Sequence, residues 1–343
     1  MLKRLSVVLV AVLAIAQAHA AIPLRPQIDI TGYVLHADLD PSTGKLSATA
    51  VVTFTALEDL NVAVFGLNNA LQVATVSDAT HPNLPFERNV TDSTVRVTPA
   101  AIISKGSSAT WTFKYAGVPT VDTSPVDGIT FVKVSDPVSI LLYPGRWFPI
   151  ALPGLFTDRF TAEIHVTVPK GETVVGSGAG KANEHDLADG RAQFDFNWDK
   201  PGFPGTIIAG KFLPPITAPG IPNIRVFLTE ANKAKGHDFA INVAKEFEFM
   251  TDKFGPAETG RLDVVELPDD SVSASWAPEI VAIKPSHGNA RLLANTVAHQ
   301  WWGSKISPAT LNDAWITNGM SRYAELMYVE DQDGKAGFQN AIT

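Results

Sequence analysis

The chain has 343 residues, 45% of them hydrophobic and 18% charged, which supplies a large core and enough length for two domains. A formal charge of -8 with no basic run excludes a nucleic-acid partner, because phosphate recognition needs clustered Lys and Arg. The absence of cysteine excludes disulfides, thiolate metal sites and cysteine nucleophiles, and leaves histidines and carboxylates as the candidate metal ligands.

Residues 1–20 order a basic start (Lys3, Arg4), an apolar stretch from Leu5 to Ala16 and the small-residue site Ala18-His19-Ala20. That order predicts a secretory signal cleaved near Ala20. The stretch is too short to span a bilayer, so a secreted or periplasmic chain without a transmembrane segment is expected from about Ala21 onward.

From Ile28 to about Lys211 the pattern has period two. Leu46, Ala48, Ala50, Val52 and Phe54 alternate with Ser47, Thr49, Val51, Thr53 and Thr55, and Ala162, Ile164, Val166 and Val168 alternate with Thr161, Glu163, His165 and Thr167. Phe194, Phe196 and Trp198 repeat it, and Asp40-Pro41-Ser42-Thr43-Gly44 has the composition of a turn. A large antiparallel sheet domain over 21–213 is the reading.

The Pro/Gly-rich stretch from Pro214 to Pro222 marks a joint. Beyond it, in 214–343, strands are expected at Arg225–Leu228 and Leu262–Leu267. Helices are expected through Phe239, Val243, Phe247, Met250 and Phe254, over Ala290–Trp302 and over Asn318–Val329. Asp238 is placed as the cap of the first helix and Gly255-Pro256 as its stop. The class is therefore β followed by mixed α and β.

The segment Asn295-Thr296-Val297-Ala298-His299-Gln300-Trp301-Trp302-Gly303 has the frame of the zinc motif H-E-x-x-H, in which two His four apart share one helix face and the Glu activates water. Asn295 holds the first His position and Thr296 the Glu position. His299 and the run Gln-Trp-Trp-Gly that follows resemble the gluzincin alanyl aminopeptidases and their epoxide-hydrolase relatives. In that family a Trp-Leu-Asn-Glu-Gly-Phe block carries the third zinc ligand, where this chain reads Trp315-Ile316-Thr317-Asn318-Gly319-Met320.

Tyr33 to Leu39, Arg146-Trp147-Phe148-Pro149 and Phe247 to Gly255 are similar, in order, to further stretches of the family. The resemblance implies an N-terminal β saddle followed by an incomplete thermolysin-like catalytic domain, either naturally short or a fragment. Its Gly-x-Met-Glu-Asn segment, whose Glu takes the substrate's free amine, corresponds to Ser275 through Glu279. The Glu position falls on Pro278 and Glu279 lies one place late, so Glu279 is the remaining substrate-binding candidate beside a reading as a solvated or locally paired carboxylate.

One imidazole between two neutral amides is a poor zinc donor set, and Thr296 cannot take a proton from water. The expectation is a homologue without zinc or hydrolysis that keeps the scaffold to bind a peptide or protein partner. The alternative left open is an active aminopeptidase in which zinc is held by His299 with Glu325 or Asp313. Beside these readings stand plainer ones: His299 as a packed residue, Trp301, Trp302 and Trp315 as core or interface, and Glu325 as a surface or capping residue.

Overall fold

The structure, a computed structural model, describes residues 25–123, 128–218 and 221–342. The signal assigned to 1–20 lies outside them. Seven strands form the main sheet, in the spatial order Ala179–Asp186, Arg191–Gly202, Phe160–Pro169, Ile28–Asp40, Lys45–Ala56, Ser108–Gly117, Gln72–Ser77. Its faces follow the alternation: Leu46, Ala48, Ala50, Val52 and Phe54 are buried, as are Ala162, Ile164, Val166, Val168, Phe194, Phe196 and Trp198. At the Asp40 turn, the Asp40 carboxylate accepts from Ser42 N at 3.0 Å and Gly44 adopts φ +70°.

The sheet is not purely antiparallel. Ile28–Asp40 pairs in parallel with Phe160–Pro169, in the register His36 to His165. A period of two reports which face a side chain takes and is silent on strand direction, and the long intervening chain supplies the crossover that a parallel pair requires. That crossover contributes strands to two four-stranded sheets, ordered Ile150–Ala151, Ala63–Gly66, Thr94–Val97, Phe86–Asn89 and Thr173–Gly176, Ile207–Gly210, Val138–Leu141, Val132–Lys133. Trp147 and Phe148 are fully buried in this core, where Trp147 Nε1 donates to Gly205 O at 2.7 Å and Tyr33 Oη donates to Pro149 O at 2.8 Å.

A fourth sheet, of five strands, draws every strand from beyond residue 215, in the order Ile216–Ala218, Ile221–Phe227, Leu262–Glu266, Ile280–Ile283, Ala274–Ala277. Three helices follow the chain: α1 (Gly236–Phe254), α2 (Ala290–Ala298) and α3 (Trp315–Ile342), the last broken at Gly334, where φ is +68°. Val226, Val264, Val281 and Ile283 pack against these helices. Phe227, Val265, Ile280 and Ala282 pack the opposite way, onto Val138, Ile140, Leu142, Val175 and Ile208 of the preceding region. Cover on both faces explains the unbroken apolar run of Ile280–Ile283.

Asp238 does not cap α1. The helix is entered from a 3-10 turn over Glu230–Lys235, and Asp238 lies inside its first turn, where its charge meets the helix dipole. Gly255 ends the helix at φ +76°. Among the described residues no helix is long and apolar enough to cross a membrane.

Candidate functional site

Asn289 starts α2 by accepting from Leu292 N at 2.9 Å, and the helix closes at Ala298 instead of running to Trp302. His299 still has helical dihedrals (φ -65°, ψ -12°), so Arg291, Asn295 and His299 lie four apart along one ridge. That ridge faces α3, which carries Asn318, Ser321, Arg322 and Glu325.

His299 is buried. Its Nδ1 lies 2.9 Å from Trp302 O, and since a carbonyl only accepts, the proton sits on Nδ1 and Nε2 carries the lone pair. Ser321 Oγ lies 3.1 Å from the same nitrogen and donates to Thr317 O at 2.7 Å. The imidazole stacks on Trp276 with centroids 5.0 Å apart and planes 10° off parallel, and Trp276 stacks in turn on Phe156 at 4.7 Å. Burial lowers the His299 pKa to about 4, so the ring is neutral at physiological pH.

The other motif positions diverge in environment. Thr296 is buried with its hydroxyl donating back to Leu292 O at 2.7 Å, a bond internal to the helix. Asn295 is half-buried beside Arg291 and Arg322, in a cleft of about 690 Å³, and Asn318 is exposed. The residues offered as replacement ligands are engaged elsewhere. Asp313 accepts from Thr310 Oγ1 at 2.8 Å in the turn before α3.

Glu325 is not a surface or capping residue. It is buried and accepts from Arg291 Nε at 3.0 Å and from Arg322 Nη1, two guanidiniums that offset the cost of taking its charge out of water. Trp315, grouped with the core tryptophans by sequence, is 62% exposed, whereas Trp301 is buried and donates to Gly255 O at 2.8 Å, tying α2 to the end of α1. Among the described residues no group of three or more His, Asp or Glu is arranged to hold a metal.

Glu279 closes the turn between Ala274–Ala277 and Ile280–Ile283 with φ +65°. Its carboxylate accepts from Gly178 N at 3.0 Å and stands 4.0 Å from Arg261 Nη1. It is thereby a buried bridge to the N-terminal region, with a local partner for its charge. Gln300 holds the same turn, donating to Ala277 O (3.0 Å) and Ile280 O (3.1 Å) and accepting from Glu279 N (2.9 Å). The motif glycine, Gly303 at φ +139°, leaves room for Trp276: a Cβ there would meet the indole at 2.6 Å.

The overall fold is similar to that of known structures. The M1 zinc metallopeptidase from Deinococcus radiodurans superposes with a TM-score of 0.69 at 21% identity, covering 91% of this chain and 73% of that one. A mutant of that peptidase bound to a Tyr-Ser-Ala substrate gives 0.71 at 22% identity, covering 92% and 74%. The fold is that of the M1 metallopeptidases. No protein-family sequence model matches the chain.

The M1 fold implies zinc, and the residues at the motif positions do not fit it. One neutral imidazole is joined by two amides and a hydroxyl already spent on its own helix, and none of these brings the negative charge that such a site draws from its carboxylate. Sequence reasoning missed Trp276, Ser321 and the Arg291–Glu325–Arg322 clasp. The four-residue spacing of Arg291, Asn295 and His299, and the three-residue spacing of Arg322 and Glu325, were the local signals that could have exposed the clasp.

Proposed function

We propose that this protein is an exported, non-hydrolytic relative of the M1 zinc aminopeptidases that keeps their scaffold to bind a peptide or a protein partner. The observation that carries the reading is the fate of the motif positions: His299 keeps its place at the end of α2, while Asn295, Thr296 and Asn318 stand where the family's other two ligands and its general base are expected. Loss of even an outer partner of a ligand costs metal affinity about 10 to 100-fold, and loss of a general base costs about a hundred to ten-thousand-fold in rate. Here two ligand positions themselves, and the base position, carry other residues. Two further features support binding as the retained role: the 690 Å³ cleft beside Asn295 and the Gln300 bonds that hold the Glu279 turn.

The test compares the purified chain with a triple variant, Asn295→His, Thr296→Glu and Asn318→Glu, for zinc content and for amino acid released from aminoacyl reporter substrates. The native chain is expected to hold substoichiometric zinc and release nothing, and the variant to gain zinc. Stoichiometric zinc together with hydrolysis by the native chain would overturn the proposal.

A further inference from the structure

We propose that the cleft between α2 and α3 is a carboxylate-binding site in which Arg291 and Arg322 receive the carboxylate of a peptide ligand. This inference rests on the non-hydrolytic reading above and names the chemistry of what the site holds. The cleft is walled by Asn289, Arg291, Leu292, Asn295, Arg322 and Glu325. It continues the ridge that ends at His299, so the two guanidiniums stand beside the motif positions.

Both arginines are preorganised from below and open above. Glu325 is buried and accepts from Arg291 Nε and Arg322 Nη1, while Ala341 O accepts from Arg291 Nη2 at 3.2 Å and Arg322 Nη2 at 2.9 Å. A guanidinium has five N–H donors, and these bonds engage only some of them. The side chains remain 45% and 41% exposed, so the remaining donors face the cleft or solvent.

Two cations set against one buried carboxylate leave the clasp with a net positive charge. Asn295, lining the same cleft, adds a neutral amide that can donate to a second oxygen. A ligand carboxylate here gains charge-assisted, forked hydrogen bonds from side chains whose ordering cost has already been met by Glu325. A cationic ligand finds no uncommitted acid in the cleft, because both donors to Glu325 would have to be displaced first.

The experiment is calorimetric titration of the full chain with N-acetylated Tyr-Ser-Ala as the free acid, with the same peptide as its C-terminal amide, and with inorganic phosphate. The acid is expected to bind at least about tenfold tighter than the amide, and more weakly as salt is raised. Arg322→Gln should cut acid affinity about tenfold and leave the amide unchanged. Since that change strips a partner from buried Glu325, the paired variant Arg322→Gln with Glu325→Gln removes both charges together and should keep the native melting transition while weakening the preference for the acid, because Arg291 alone is left to receive it.

Equal affinity for acid and amide, an undiminished preference in the paired variant, or binding of phosphate without the acid peptide would each overturn the carboxylate assignment while leaving the non-hydrolytic reading in place. Release of amino acid from unblocked Tyr-Ser-Ala would sink that reading instead.

Discussion

Gln300 accepts a hydrogen bond from the main-chain nitrogen of Glu279 at 2.9 Å, and its other end donates to the carbonyls on either side of the same turn. The residue after the motif histidine is thus a structural latch between α2 and a turn whose carboxylate reaches Gly178. Gln300 is buried, so every one of these bonds is made away from water.

Gln300→Leu keeps the bulk of the side chain and takes the acceptor from the buried Glu279 N–H, while Ala277 and Ile280 still pair with each other across the turn. An orphaned buried N–H costs about 1 to 3 kcal/mol, so a loss of that size in unfolding free energy is expected by chemical denaturation. A loss under about 1 kcal/mol would mean that water replaces the latch.

Trp276 shields one face of His299, and burial is the main reason the imidazole pKa drops to about 4. Trp276→Ala should admit water and move that pKa back toward 6.5, the ordinary value, followed through the ring-proton shifts of His299 in a magnetic-resonance pH titration. Truncating an aromatic at this packed position should also cost about 3 kcal/mol of stability. A titration still centred near 4 would show that Trp276 is not what keeps water from the ring.

Glu246 of α1 is fully buried, and neither of its carboxylate oxygens meets a hydrogen-bond partner. Burial holds its pKa well above the ordinary 4.5, and it faces Tyr328 of α3, whose own pKa its charge helps raise. Below pH 4.5 the group is protonated whether the chain is folded or not, and it does not affect stability. Above it the unfolded chain releases the proton and the folded chain keeps it. Stability then falls by about 1.4 kcal/mol per pH unit until the folded group ionises.

Glu246→Gln removes that slope, so the variant should gain on the native protein progressively as the pH rises above about 5 in denaturation measurements. Asp158, raised to about 8 by burial and by neighbouring Asp29, is present in both proteins and cancels in the comparison. A stability difference that stays constant with pH would show that Glu246 ionises normally in the fold.

Burial of alternate residues along Lys45–Ala56 and Phe160–Pro169 was legible in the sequence, because the pleat sends neighbouring side chains to opposite faces whatever they pair with. The amphipathic run of α1 was legible for the same reason: residue type and spacing along one element are local properties. The parallel pairing of His36 with His165, the Arg291–Glu325–Arg322 clasp and the Phe156–Trp276–His299 stack were not. Each joins residues from elements distant in the chain, and only packing of the whole core decides which of them meet. Glu279 shows the difference most directly: its composition suits a charged surface turn, and its place against Gly178 comes from a second region folding over it.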